Sequence, residues 1–229
     1  MELTEHLAEL RIRIMRVLFT LIPVFILVFL FSKDFIKFFW FFNFPPYVFS
    51  PLEWLILQLS LSLTISMIII YPYLFFELYQ FAKPGLYENE RKFLKILVIP
   101  SYLLFLFGFI FSMKFLVPLI YSITLQYPYD PYLSASQTLG NAVKLSVAVG
   151  LFTQIPLAIL LLVKFKLVSY KTLKNLRIII YFVAFMSFLN LTSDFGSLSI
   201  FAAFIFFILM FELGLFIVKI ASSLNILKN

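Results

Sequence analysis

Apolar residues along this chain come in runs too long for a half-buried strand or a one-sided surface helix, and short polar stretches punctuate them. The runs predict six transmembrane helices, at about residues 14–32, 54–79, 96–121, 140–163, 177–192 and 198–218. Ahead of the first, residues 3–16 carry a helical pattern, with Leu3, Leu7, Leu10 and Ile14 on one face and Glu2, Glu5, Glu9 and Arg16 on another. Thr4 is placed as the N-cap of this helix, and Glu9 and Arg13 form an i,i+4 pair in the favourable order. The helix is expected to run into the first span, with a kink at Pro23. The fifth apolar run, Ile178 to Leu191, would be only about 21 Å long as a helix, against a hydrocarbon core of about 30 Å.

The punctuation between the runs is informative. Residues 33–50 are dense in aromatic side chains and are broken by Pro45-Pro46, which predicts an interfacial helix followed by a turn. After the second span, Phe81-Ala82-Lys83-Pro84-Gly85-Leu86-Tyr87 stops the helix: Pro84 removes a donor and Gly85 permits left-handed backbone. Glu88, Glu90, Arg91, Lys92 and Lys95 follow at once. The aromatic and proline frame of Phe81, Pro84 and Tyr87 reads as a turn built to hold one shape.

Composition agrees with lipid as the solvent. Of 229 residues, 63% are hydrophobic and 13% charged, where a soluble domain has about 45–50% apolar and about 25% charged residues. The whole chain reads as a single six-span membrane domain of all-α class. The net charge of +7 does not point to nucleic acid. Fourteen of the 18 Lys and Arg fall at the N-terminus, after spans two and four, or at the C-terminus, which predicts that both termini are cytoplasmic. With no Cys and one His, thiol chemistry and a His-ligated metal are set aside. Neither protease motifs nor a phosphate-binding glycine loop is present, so the chain reads as non-enzymatic, with no cofactor.

Ionisable side chains within spans are costly and are functional candidates by default. Glu77 and Glu212 lie near the cytoplasmic span ends, where reaching the headgroups is easy, and Lys114 and Lys144 are expected to snorkel. Gln154, deep in span four and followed by Pro156, is the best candidate for a polar contact between helices. Asp194, between spans five and six, is placed to cap the sixth helix. Glu9 and Glu90 share the cytoplasmic membrane surface and could serve a cationic ligand or pair internally with Arg13 and Arg91. A small proton-coupled secondary transporter using Glu77, Glu212 and Lys144 is the rival reading.

Several of these stretches together resemble the TatC family. They are Glu5-His6-Leu7-Ala8-Glu9-Leu10-Arg11, Ser50-Pro51, Phe81-x-x-Pro84-Gly85-Leu86-Tyr87-x-x-Glu90-Arg91, Gly150-x-x-x-Gln154-x-Pro156, Asp194 and Phe211-Glu212. The resemblance implies a receptor subunit of the twin-arginine translocase, in the inner (cytoplasmic) membrane, exporting folded proteins on the proton-motive force. It implies a concave, glove-like bundle with short fifth and sixth helices, working in an oligomeric complex. It also implies that Glu9 and Glu90, with Phe81, Pro84, Leu86 and Tyr87, bind the twin-arginine signal peptide. Gln154, Glu212 and Asp194 are then expected to contact single-span TatA- and TatB-type partners. The chain departs from the family pattern in three places. Gln154 stands where a glutamate is common, Glu77 where a glutamine is often found, and a tyrosine frequent early in span four has no clear counterpart beyond Thr138.

Overall fold

The computed structural model describes residues 3–40, 47–124, 134–191 and 196–223. Among these are nine α-helices: α1 (Leu3–Leu30), α2 (Ser32–Phe39), α3 (Pro51–Ala82), α4 (Glu88–Phe111), α5 (Val117–Thr124), α6 (Ala135–Phe152), α7 (Ile155–Lys164), α8 (Tyr170–Leu191) and α9 (Gly196–Ser223). The only β-pairing among the described residues is an isolated bridge between Tyr47 and Ser134. Six stretches are long and apolar enough to cross a membrane: Leu7–Leu30, Pro51–Gly85, Glu88–Ile123, Ala135–Lys164, Tyr170–Leu189 and Leu198–Ser223. In the first, 6% of the residues are buried against protein, the smallest share of the six. The chain is a multi-pass, all-helical membrane protein.

Its contacts divide the chain into two compact units, one of Met1–Tyr102 with Asp130–Val143, the other of Leu103–Tyr129 with Lys144–Asn229. In the first unit α1 packs mainly on α3, and α2 also lies against α3. Val28, Ile36, Phe39, Leu57 and Leu61 are buried there. Helix α3 begins with a capping box: Ser50 Oγ accepts the Glu53 N–H at 3.1 Å, Pro51 opens the helix, and Glu53 Oε2 accepts the Phe49 N–H at 2.7 Å. The other Glu53 oxygen accepts from Ser134 Oγ and from the Ser136 N–H, tying the start of α6 to the start of α3.

In the second unit α9 packs on both α7 and α8. Ile159, Leu173, Phe211, Leu215 and Val218 form its apolar centre. Two glycines permit a close helix approach. A Cβ on Gly108 would lie 2.5 Å from Thr153 Cγ2 and 3.1 Å from Gly150 Cα, and one on Gly150 would meet the Phe105 ring at 2.9 Å. Small residues of this kind let helix backbones approach in lipid, where apolar burial alone gives no preference for protein over acyl chains.

Prolines set the irregularities. Before Pro118 the chain widens into a π-helical stretch, Ser112–Leu116, in which the Val117 N–H reaches back to the Ser112 carbonyl. The wider turn relieves the clash of a proline ring with the carbonyl four residues earlier. Span four breaks between α6 and α7 at Thr153–Gln154, just before Pro156. Pro84 and Gly85 end α3 in a single 3-10 turn, Lys83–Gly85, as their types predict.

Two expectations change. Thr4 lies inside α1, which already includes Leu3, so it is a first-turn residue and not the cap. The fifth and sixth helices are longer than their short description implied, at 22 and 28 residues. The uncharged run in α8 is short because its first turns carry Lys171, Lys174 and Arg177, which extend the helix without extending its apolar part. Asp194 lies outside the described residues.

The glycine crossing gives a direct test. Gly108→Val should lower the unfolding midpoint in detergent, by the equivalent of about 1–3 kcal/mol, because β-branched Thr153 and the Gly150 backbone cannot give way. Gly140, with open space where its Cβ would sit, is the control. Gly140→Ala should hold or raise that midpoint, since alanine is the better helix former by about 1 kcal/mol.

Candidate functional site

The polar end of α1 and the last turns of α3 meet around one guanidinium. Arg13 Nε and Nη2 donate to Glu9 Oε1 at 3.1 and 2.5 Å, one helical turn back. Its Nη1 donates to Glu77 Oε2 at 3.1 Å across to α3. Glu77 Oε1 accepts from the Tyr73 hydroxyl at 3.0 Å and lies 4.0 Å from Arg16 Nη1. Side-chain exposure falls from 30% at Glu9 through 19% at Arg13 to 8% at Glu77. Two carboxylates and two guanidinium groups therefore form a set of zero net charge, anchored at its most buried member. Beside it is a cleft of about 210 Å³ whose lining includes Arg13, Glu77, Phe81, Leu10, Leu74 and Leu78.

Glu77 is the residue that sequence reasoning underrated. Its place near a span end favoured a carboxylate reaching for the headgroups, yet among the described residues it is the one charged residue that is buried. The pairing with Arg13 joins residues 64 positions apart. The available signal was a cation at matching membrane depth on the preceding span.

Glu90 is held differently. After the 3-10 turn, Leu86 is extended (φ −105°, ψ 144°) and α4 starts at Glu88. Glu90 Oε2 reaches back to the Tyr87 N–H at 3.0 Å, the acidic half of a capping box, and Arg91 Nε donates to the Leu86 carbonyl at 2.8 Å. Glu88 and Glu90 both lie in the first turn, where the helix dipole favours negative charge. Arg91 thus stabilises the turn through a backbone carbonyl, and the Glu90 carboxylate points along the turn that Pro84 initiates. Tyr87 is 80% exposed, Leu86 and Phe81 are half-buried, and Pro84 is exposed.

The remaining candidates lie in the second unit. Gln154, half-buried at the break in span four, donates its amide to Thr153 Oγ1 at 3.4 Å. That hydroxyl in turn lies 2.9 Å from the Leu104 carbonyl and 2.5 Å from that of Gly150. Glu212 accepts from the Tyr181 hydroxyl at 2.6 Å and lies 3.6 Å from Arg177, linking α9 to α8. Among the described residues no group of His, Cys, Asp and Glu has the arrangement of a metal site.

Residues 5–205 match the family described as Sec-independent protein translocase protein (TatC). The chain is 31% identical to the Sec-independent protein translocase protein TatC of Methanocella arvoryzae, over 81% of this chain and 80% of that protein. It is 28% identical to the TatC of Aquifex aeolicus, over 97% and 96%. Its fold is similar to that of a crystal structure of the twin arginine translocase receptor TatC, with a TM-score of 0.83 over 95% of this chain and 99% of that one, at 24% identity. A second crystal structure, of the receptor in DDM, gives 0.79 over 93% and 98%, at 26% identity.

The capping geometry separates two roles of Glu90. Glu90→Gln keeps an acceptor for the Tyr87 N–H, so the start of α4 should be unchanged by amide hydrogen exchange at residues 87–91. Glu90→Ala removes it and should cost about 1 kcal/mol locally, with faster exchange over the same amides.

Proposed function

The chain belongs to the TatC family, and on that premise we propose that it is the receptor that takes twin-arginine signal peptides of folded cargo at Glu9 and Glu90. It is a subunit of the Sec-independent, twin-arginine protein translocase. The observation that carries the binding reading is that Glu9 already holds a guanidinium, that of Arg13, through two N–H donors that converge on Oε1. Glu90 is held by the Tyr87 N–H just after a proline-initiated turn, and Phe81, Leu86 and Tyr87, which flank that turn in sequence, are its proposed apolar and aromatic companions. In this reading both termini face the cytoplasm, as fourteen of the 18 basic residues support. The membrane is the inner membrane, and the work of export is driven by the proton-motive force without catalysis by this chain.

Single-span TatA- and TatB-type proteins are the proposed partners. Gln154, Asp194 and Glu212 are their proposed contacts. An amide such as Gln154 offers donors and an acceptor without charge, which suits a contact between helices in hydrocarbon. The transporter reading has less behind it: Glu77 and Glu212 are each held by an arginine and a tyrosine, an arrangement that fixes charge in place.

Binding is tested with peptides carrying Arg-Arg or Lys-Lys. A charge-assisted hydrogen bond in a partly desolvated site contributes about 1.5–3 kcal/mol. Glu9→Gln and Glu90→Gln should therefore each weaken the Arg-Arg peptide by roughly ten- to a hundredfold, and the Lys-Lys peptide much less. Glu88→Gln, on the same turn, should change little. Equal small losses for all three variants with both peptides would reduce the turn to a solvated acidic patch. For the partner contact, Gln154→Leu should weaken co-purification of the single-span partners while leaving peptide affinity intact. Wild-type assembly in that variant would make Gln154 a packing residue only.

A further inference from the structure

We infer that Arg13 is a resident competitor for the Glu9 carboxylate, and that Glu77 sets how readily Arg13 releases Glu9 to an incoming guanidinium. This rests on the reading of Glu9 as a ligand-binding carboxylate. Arg13 directs Nε and Nη2 at Glu9 Oε1 and Nη1 at Glu77 Oε2, so one side chain spans both acids. A signal-peptide arginine that engages Glu9 through its own fork needs Oε1, to which two Arg13 donors are already directed. It also meets a set already neutral, since Arg13 and Arg16 balance Glu9 and Glu77. Binding gains from the Glu9 charge only to the extent that Arg13 moves off it.

The member that can move is Arg13. Glu77 is buried and held on its second oxygen by Tyr73, whereas the arginine stem has several rotatable bonds and its head bonds to both acids. When a ligand takes Glu9, Arg13 keeps a carboxylate, because Nη1 is already on Glu77. The buried acid stays paired and the displaced guanidinium is not left bare in a low-dielectric surrounding. Glu77 is thus the position to which Arg13 retreats, and its presence lowers the cost of opening the site. Without that acid Arg13 would be committed to Glu9 alone.

The cost of displacing Arg13 falls on a ligand in proportion to its use of Glu9. It bears on the Arg-Arg peptide and much less on the Lys-Lys peptide, whose affinity depends little on that carboxylate. Removing a competitor therefore widens the preference for Arg-Arg, whereas removing a residue that shapes the site narrows it.

The full-length protein in nanodiscs, titrated with labelled Arg-Arg and Lys-Lys peptides, tests the inference. Arg13→Gln should tighten the Arg-Arg peptide by about tenfold, within the usual range for coupled sites, and the Lys-Lys peptide much less. Glu77→Gln should weaken the Arg-Arg peptide by a similar factor in the wild-type background and have no effect in the Arg13→Gln background. If Arg13→Gln weakens either peptide, or if Glu77→Gln weakens binding equally in both backgrounds, Arg13 is not a competitor. Should Arg13→Gln fail to fold with Glu77 left buried, Arg13→Lys keeps the charge for Glu77 and loses the fork. It should tighten the Arg-Arg peptide, and no change or a loss would overturn the inference. Glu9→Gln in the same assay keeps the two readings apart. If it leaves Arg-Arg affinity untouched, the binding-site reading fails and this inference with it. If it abolishes the preference for Arg-Arg while the Arg13 variants do not tighten binding, only this inference fails.

Discussion

Inside hydrocarbon a backbone can place its hydrogen bonds only on protein, so each departure from an unbroken helix must be satisfied locally. Three of the departures among the described residues lie beside a proline: Lys83–Gly85 with Pro84, Ser112–Leu116 before Pro118, and Thr153–Gln154 before Pro156. The second and third occur within spans, and hydroxyls gather around them. Ser146 Oγ meets Ser112 Oγ at 3.1 Å, and Thr153 Oγ1 lies within hydrogen-bonding reach of the Leu104 and Gly150 carbonyls. The glycines that bring α4 close to α6 belong to the same arrangement, since Thr153 reaches a carbonyl on α4 only where Gly108 and Gly150 let the helices approach. The first departure comes at the end of a span, where the chain can leave the membrane. There the turn is stabilised by Glu90 on the Tyr87 N–H and Arg91 on the Leu86 carbonyl.

Charge follows the same constraint. Glu77 is covered by protein and is matched by Arg13 and a tyrosine hydroxyl. Glu212 is half-exposed and has Arg177 at 3.6 Å together with the Tyr181 hydroxyl at 2.6 Å. An acid, a cation and a phenol recur in the two units, on α1 with α3 and on α8 with α9. The arginine contact is the shorter at buried Glu77, and the phenol contact is the shorter at Glu212; removing one partner of a buried pair costs about 3–5 kcal/mol, whereas an exposed pair is worth about 0–1 kcal/mol.

The spans, the stop at Pro84-Gly85 and the Glu9–Arg13 pair were legible in the sequence because each rests on local spacing: apolar run length, proline geometry, or an i,i+4 interval. What sequence reading missed depends on register between helices. Glu77 looked free to reach the headgroups because its distance from the span end is visible in one dimension and its burial against α1 is not. The π-helical widening before Pro118 had a local cause, but a proline within a helical run predicts a kink or a break equally well. The Ser50/Glu53 capping box was readable as Ser-x-x-Glu. The second function of Glu53, holding Ser134 and Ser136, needs a partner 81 residues away. The carboxylate of Glu90 was legible as an acid on a fixed turn, but its bond to the Tyr87 N–H shows that the same group also builds that turn.

Positions 77 and 154 carry an acid and an amide, Glu77 on α3 and Gln154 at the break in span four. Burying a carboxylate in a span is costly unless it is paired. At Glu77 the cost is offset by an arginine already present on the first helix, only one turn from Glu9. An acid there brings the local set to zero net charge, two carboxylates against Arg13 and Arg16, and it changes what Arg13 is bonded to. An amide at position 77 would offer Arg13 a weaker, uncharged acceptor and leave Glu9 as its main partner. The carboxylate divides the guanidinium between two acids of unequal burial. The consequence of the exchange therefore falls on Glu9, the more exposed of the two, and on the ease with which it can accept another cation.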